Sequence, residues 1–160
     1  MNNIIFITHA EKNPSGGAKV IYRFSEIIDN INGFNSEVIH IKKKKISKFK
    51  DSLKKKFNYT TNNITGWQFN EIKPVKNFKY KWFKSSVKIK ENLQINKEKD
   101  FVILPEIFAH LADQFLVKDN IHYGIFVQNG YILDSTNDTK ILNNAYEKAK
   151  FVLSISNDTT

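Results

Sequence analysis

Several residues in this chain are of types that do chemistry, and their spacing sorts them. Four histidines occur, at His9, His40, His110 and His122, and none forms an HxH or HExxH arrangement. His110 and Asp113 lie three apart on an expected helix, a spacing at which polar pairs usually face solvent rather than a metal. His40 and His122 fall inside apolar runs and read as structural. His9 is different: it follows the run Ile4 to Thr8 directly, where a strand would end. Two adjacent glycines, Gly16 and Gly17, come just before a helical pattern. Glycine there lets a backbone turn tightly or lets a group come close, and a helix start offers free N–H groups and a positive dipole end to a phosphate. The same glycines serve equally as a plain turn. The stretch SGGAK lacks both GxxxxGKS/T and GxGxxG, and the next apolar run ends in Ile41-Lys42 with no acid for a ribose diol, so an ordinary nucleotide motif is not supported. No GxSxG occurs, which argues against a hydrolase elbow.

The elements that position these residues follow from hydrophobic spacing. Ile4 to Thr8 suits a buried parallel strand. Val20, Ile21, Phe24, Ile27, Ile28 and Ile31 predict a helix from about Ala18 to Asn32, stopped by Asn32-Gly33, and Ser36 to Ile41 reads as a second strand. Strand, helix, strand is a βαβ unit with a right-handed crossover. From Asp100 the alternation resumes: a strand DFVILPE, helical spacing from Ile107 to Leu116, a strand within Ile121 to Gly130, a helix through Ile141 to Ala149, and a last strand KFVLSIS. The expected fold is α/β, a Rossmann-like doubly wound parallel sheet in one domain over 1–160, with an irregular excursion rich in Lys and aromatic residues in the middle. Within that excursion Pro74 disfavours a central strand, and Ser85 to Ile95 reads as a serine-capped helix. Ligands in such sheets sit past the C-terminal strand ends: here Thr8 to Glu11, Pro105-Glu106, Gln128 to Gly130 and Ser154 to Ser156.

Composition narrows the classes further. The chain has 160 residues, no cysteine and a net charge of +9. No disulfide framework or thiolate metal site is available. Arg23 is the only arginine, so the forked contacts that nucleic-acid readers use are missing and nucleic acid is an unlikely partner. Nothing approaches a signal peptide or the roughly 20 apolar residues of a membrane span, so a cytoplasmic location is expected. Ile46, Phe49, Leu53 and Phe57 form one stripe among the lysines of Lys42 to Phe57. That pattern fits a surface helix of the domain, or peripheral contact of Lys42–Lys56 with an anionic membrane face.

The ordered set IIFITHAEKNPSGGAKVIYRFSEII, DFVILPE, IFVQNGYIL and AYEKAKFVLSISN resembles the N-terminal domain of GT-B glycosyltransferases, most closely the retaining family 4 type, including rhamnosyltransferase-like members. The resemblance covers the first and last thirds of the chain. It implies that Gly16 and Gly17 lie beside the diphosphate of a nucleotide sugar, and that His9, Glu11, Glu106, Gln128, Asn129 and Tyr131 face a glycan or lipid-linked acceptor. It implies no metal and no cofactor besides the nucleotide-sugar substrate. Many relatives carry a histidine where this chain has Gln128-Asn129-Gly130, and an amide cannot titrate near neutral pH. A complete enzyme of this kind has a second lobe with an E-x7-E element; this chain is expected to be the acceptor-side lobe, inactive in transfer alone. The rivals are a basic module for nucleic acid or anionic membrane, and another Rossmann-like nucleotide-binding protein.

Overall fold

The structure, a computed structural model, describes residues 2–42, 72–129 and 139–155. The lysine stripe beyond Lys42, together with Trp67, Gly130, Tyr131 and Ser156, lies outside the described residues. The elements run β1 (Asn3–His9), α1 (Gly16–Asp29), β2 (Asn35–Ile41), β3 (Lys88–Ile89), β4 (Asp100–Pro105), a 3-10 turn (Glu106–Leu111), a π turn (Asp113–Val117), β5 (Tyr123–Val127), α2 (Thr139–Lys148) and β6 (Val152–Ser154).

The six strands form one sheet, β3-β2-β1-β4-β5-β6, with every pair parallel. Strand order reverses between β1 and β4, and this is where an open α/β sheet leaves a crevice at its C-terminal edge. The fold is thus α/β and Rossmann-like. Phe6 is opposite Val38 on one side and Ile103 on the other, so the central strands share one register.

Alternation sends the strand side chains to two faces. Ile5, Ile7, Ile39, Ile41, Val102, Leu104, Ile125 and Val127 point to one, where they meet Phe108, Leu111, Leu116 and Ala145. Phe6, Val38, Ile103 and Phe126 point to the other, under Ala18, Ile21 and Tyr22 of α1. Burial on both sides explains why the strands read as unbroken apolar runs.

Three expectations are corrected. Helix α1 begins at Gly16, ahead of Ala18, because Ser15 is its N-cap and its Oγ accepts from Ala18 N at 3.4 Å. It ends at Asp29, ahead of Asn32: the Asn30 side chain turns back to Glu26 O at 2.8 Å, and Gly33 takes a positive φ of 87° in the turn beyond. Ser85 to Ile95 is not a helix. Its centre is β3, which adds to the β2 edge, and Lys90 N donates to Val38 O at 2.9 Å. Ser85 Oγ caps no helix; it accepts from Val87 N at 3.1 Å and donates to Glu26 Oε1 at 2.6 Å. The helical spacing over Ile107 to Leu116 is realised as a 3-10 turn followed by a π turn. Pro74 makes only an isolated antiparallel bridge with Ile41, as its missing N–H requires. Among the described residues no helix is long and apolar enough to cross a membrane.

Candidate functional site

The crevice at the β1/β4 reversal has a volume of about 280 Å³. Its floor is Thr8 and His9 at the end of β1 and Pro105 and Glu106 at the end of β4; Ser15, Gly17 and Ala18 of the α1 start form one wall, and Gln128 and Asn129 after β5 the other. Five of the expected site residues therefore meet in one place: His9, Gly17, Glu106, Gln128 and Asn129. Gly16 and Glu11 do not line it. Gly16 is exposed, and the charge of Glu11 is felt instead at the Tyr80 hydroxyl.

Glu106 organises the site. It is 4 % exposed, and its carboxylate accepts from two successive amides, Gln128 N at 3.0 Å and Asn129 N at 2.9 Å. One side chain from β4 thus clasps the loop after β5. Burial pushes its pKa up, and the hydrogen bonds from the Gln128, Glu106 and Asn129 amides hold that rise in check. The carboxylate has more acceptor positions than these three amides fill, so it can still take a hydroxyl from the crevice.

The two glycines differ in what surrounds them. A Cβ on Gly16 would meet nothing within 4 Å, whereas one on Gly17 would lie 2.5 Å from Gln128 Oε1. Gln128 Nε2 donates to Gly17 O at 3.1 Å. Gly17 is therefore the position that admits a close neighbour, and the neighbour present is the Gln128 carboxamide. Both residues sit in the first turn of α1, where backbone N–H groups have no partner within the helix.

The Tyr80 and Tyr146 hydroxyls went unrecognised in the sequence, and Thr8 was read only as the start of a strand-end loop. The Thr8 hydroxyl lines the crevice, is fully buried and makes no hydrogen bond. The Tyr80 hydroxyl lies near enough for Thr8 to temper its pKa, yet its own proton goes to His9 O. Burial, partly offset by Thr8 and reinforced by Glu11, leaves Tyr80 at about 12. The Tyr146 hydroxyl of α2 is also buried without a partner; burial first, then the charge of Glu106, raise it to about 12. Tyr80 alternates with lysines and Tyr146 lies among polar residues of α2, so only the topology reveals that they approach the strand ends.

His40 and His110 are not part of the crevice. His40 Nε2 shares a 2.7 Å hydrogen bond with the Tyr22 hydroxyl, and burial, with the nearby His9, lowers its pKa to about 4. It is a neutral structural histidine, as expected. His110 is buried, not solvated as its spacing to Asp113 suggested, because the 3-10 turn rotates it inward. Asp113 turns elsewhere, to Asn144 Nδ2 at 2.6 Å and Lys148 Nζ at 3.5 Å. Among the described residues no group of three or more His, Asp or Glu side chains is placed to hold a metal ion.

The arrangement offers a carboxylate fixed by two amides, a rotatable carboxamide over a helix start, a histidine at a strand tip and an unpaired hydroxyl. It can bind a polyhydroxylated or anionic ligand through several directed hydrogen bonds. The chain matches no protein-family model, and comparison with curated proteins and with solved structures found no match.

Proposed function

We propose that this chain is the acceptor-side lobe of a retaining glycosyltransferase of the GT-B type, one that moves a sugar from a nucleotide-sugar donor to a glycan or lipid-linked acceptor. The observation that carries this reading is the convergence of His9, Gly17, Glu106, Gln128 and Asn129 on one crevice at the strand-order reversal. Three of the four ordered sequence segments that suggested a sugar-transfer enzyme contribute residues to its lining; AYEKAKFVLSISN does not. Glu106, Asn129 and Thr8 would hold sugar hydroxyls, and the Gly17 side of the crevice would lie nearest the departing diphosphate. Rate enhancement would come from positioning and from stabilising charge on that diphosphate, with no metal and no resident cofactor. A donor-side lobe would complete the reaction, so the lobe alone binds without turnover. We place the protein in the cytoplasm on this reading, where nucleotide sugars are made.

Titrating isotope-labelled chain with UDP-, GDP- and dTDP-sugars and with neutral oligosaccharides tests this. Amide shifts centred on Gly17, Gln128 and Asn129 are expected with at least one of them. Salt should hardly weaken the binding of a neutral sugar, in contrast to the steep loss that marks nucleic-acid binding. A panel that leaves those three amides unmoved, or sugar transfer by the chain on its own, overturns the proposal.

A further inference from the structure

A second cavity, of about 420 Å³, lies beside α1 and β3 and shares no lining residue with the crevice. Its wall is aromatic. Tyr22 meets Phe83 edge-on at 4.9 Å, and Tyr80 stacks on Phe83 at 5.4 Å with 28° between the planes. Val87 and Ile89 add aliphatic surface. The Tyr22 hydroxyl is turned away to His40 and the Tyr80 hydroxyl to His9 O, so the rings present carbon and not oxygen. Its size lies in the range of small-molecule sites.

Lys79 and Lys84 line the same cavity, are exposed, and make no ion pair among the described residues. The neighbouring carboxylate does not neutralise them. Glu26 accepts from Ser85 Oγ at 2.6 Å and Ser86 N at 3.2 Å and lies 3.7 Å from Arg23 Nη1. A slot with an aromatic wall on one side and a polar rim of Lys79, Lys84, Ser85 and Ser86 on the other favours a ligand that carries an apolar body and an anionic head. We propose that this cavity binds an anionic amphiphile, its hydrocarbon or ring against Tyr22, Tyr80 and Phe83 and its phosphate or carboxylate on Lys79 and Lys84. The site stands apart from the crevice and does not depend on the sugar-transfer reading.

Trp82 reports on it, since its ring lies 4.4 Å from Phe83 and 5.3 Å from Tyr80. In a Trp67→Phe background Trp82 is the only indole. Octyl phosphate below its micelle concentration should then change the emission saturably. Inorganic phosphate and octyl glucoside should each bind at least about tenfold more weakly, since one lacks the body and the other the charge. Reversing both exposed lysines, Lys79→Glu with Lys84→Glu, should weaken octyl phosphate about tenfold and leave octyl glucoside unchanged, with an unaltered circular dichroism spectrum. Equal binding of octyl glucoside, equal binding of inorganic phosphate, or indifference to the charge reversal would each overturn the proposal.

Discussion

The two faces of the sheet are built from different materials. One is aliphatic, with Ile5, Ile7, Ile39, Leu104 and Ile125 interdigitating with Leu111, Leu116 and Phe108 until almost nothing is exposed. The other is aromatic, with Phe6, Tyr22, Tyr80 and Phe126 buried and Phe78, Trp82, Phe83 and Phe101 packed around them. Aliphatic side chains fill space without polar atoms to satisfy. Rings meeting at wide angles leave gaps and bring hydroxyl and imidazole groups that need partners. The second face keeps a 420 Å³ cavity and a buried Tyr22–His40 pair; the first keeps a smaller one of about 290 Å³ at its rim, lined by Ile72, Leu93, Phe115, Leu116 and Ile121.

Truncation separates the faces most strongly. Phe108→Ala on the aliphatic face should cost about 3–5 kcal/mol, as expected for a fully buried ring, and Phe83→Ala on the aromatic face far less, because Phe83 is only half-buried. Denaturant midpoints at constant slope decide this; equal losses would erase the distinction. The next effect is electrostatic and belongs to the aromatic face alone. His40 titrates at about 4 when folded, against about 6.5 for a free imidazole. Between those values the unfolded chain binds more protons than the native one. The contribution of His40 is therefore complete above about pH 6.5 and is lost as pH falls toward 4, a difference of about 3 kcal/mol. His40→Gln, which keeps a partner for Tyr22 but cannot titrate, should flatten that part of the stability profile.

Where the two faces meet, Glu106→Ala should cost about 1–3 kcal/mol, because it strips the Gln128 and Asn129 amides of their acceptor. Crevice ligands should be lost with it. The smallest effect is the most discriminating. Gly16→Ala should stabilise by about 0.4–1 kcal/mol, since the added methyl meets nothing and the unfolded chain loses freedom. Gly17→Ala should yield no such gain, because its methyl must expel the Gln128 carboxamide and break a 3.1 Å hydrogen bond. Equal thermal shifts for the two alanines would show that Gln128 does not pack there.

Local pattern made the regular parts legible. Apolar runs located β1, β2, β4 and β5, and 3.6-residue spacing located α1 and α2, because each buries a continuous stripe; an apolar run also located β6, although its Val152 and Leu153 stay exposed. The spacing of Ile107 to Leu116 gave the buried side but not the backbone, since 3-10, α and π turns can all turn the same residues inward. β3 was hidden: two residues carry no period, and the alternation of Val87, Lys88, Ile89 and Lys90 acquires meaning only beside β2. In the site, the strand tips were readable because topology ranks them in advance. The clasp from Glu106 to the Gln128 and Asn129 amides, and the isolation of Thr8 and Tyr146, were not. Those depend on how far apart two strand ends lie in space, a quantity that no local window contains.

Gln128 gives the crevice a stopper. Its flexible side chain can swing aside, so the 280 Å³ measured with the carboxamide in place is a resting value and not a limit. A ligand that pushes it out gives up one hydrogen bond but returns rotational freedom to the glutamine and uncovers the first turn of α1. Only guests with enough contacts of their own will displace it, which makes the residue a threshold against casual anions as well as a wall.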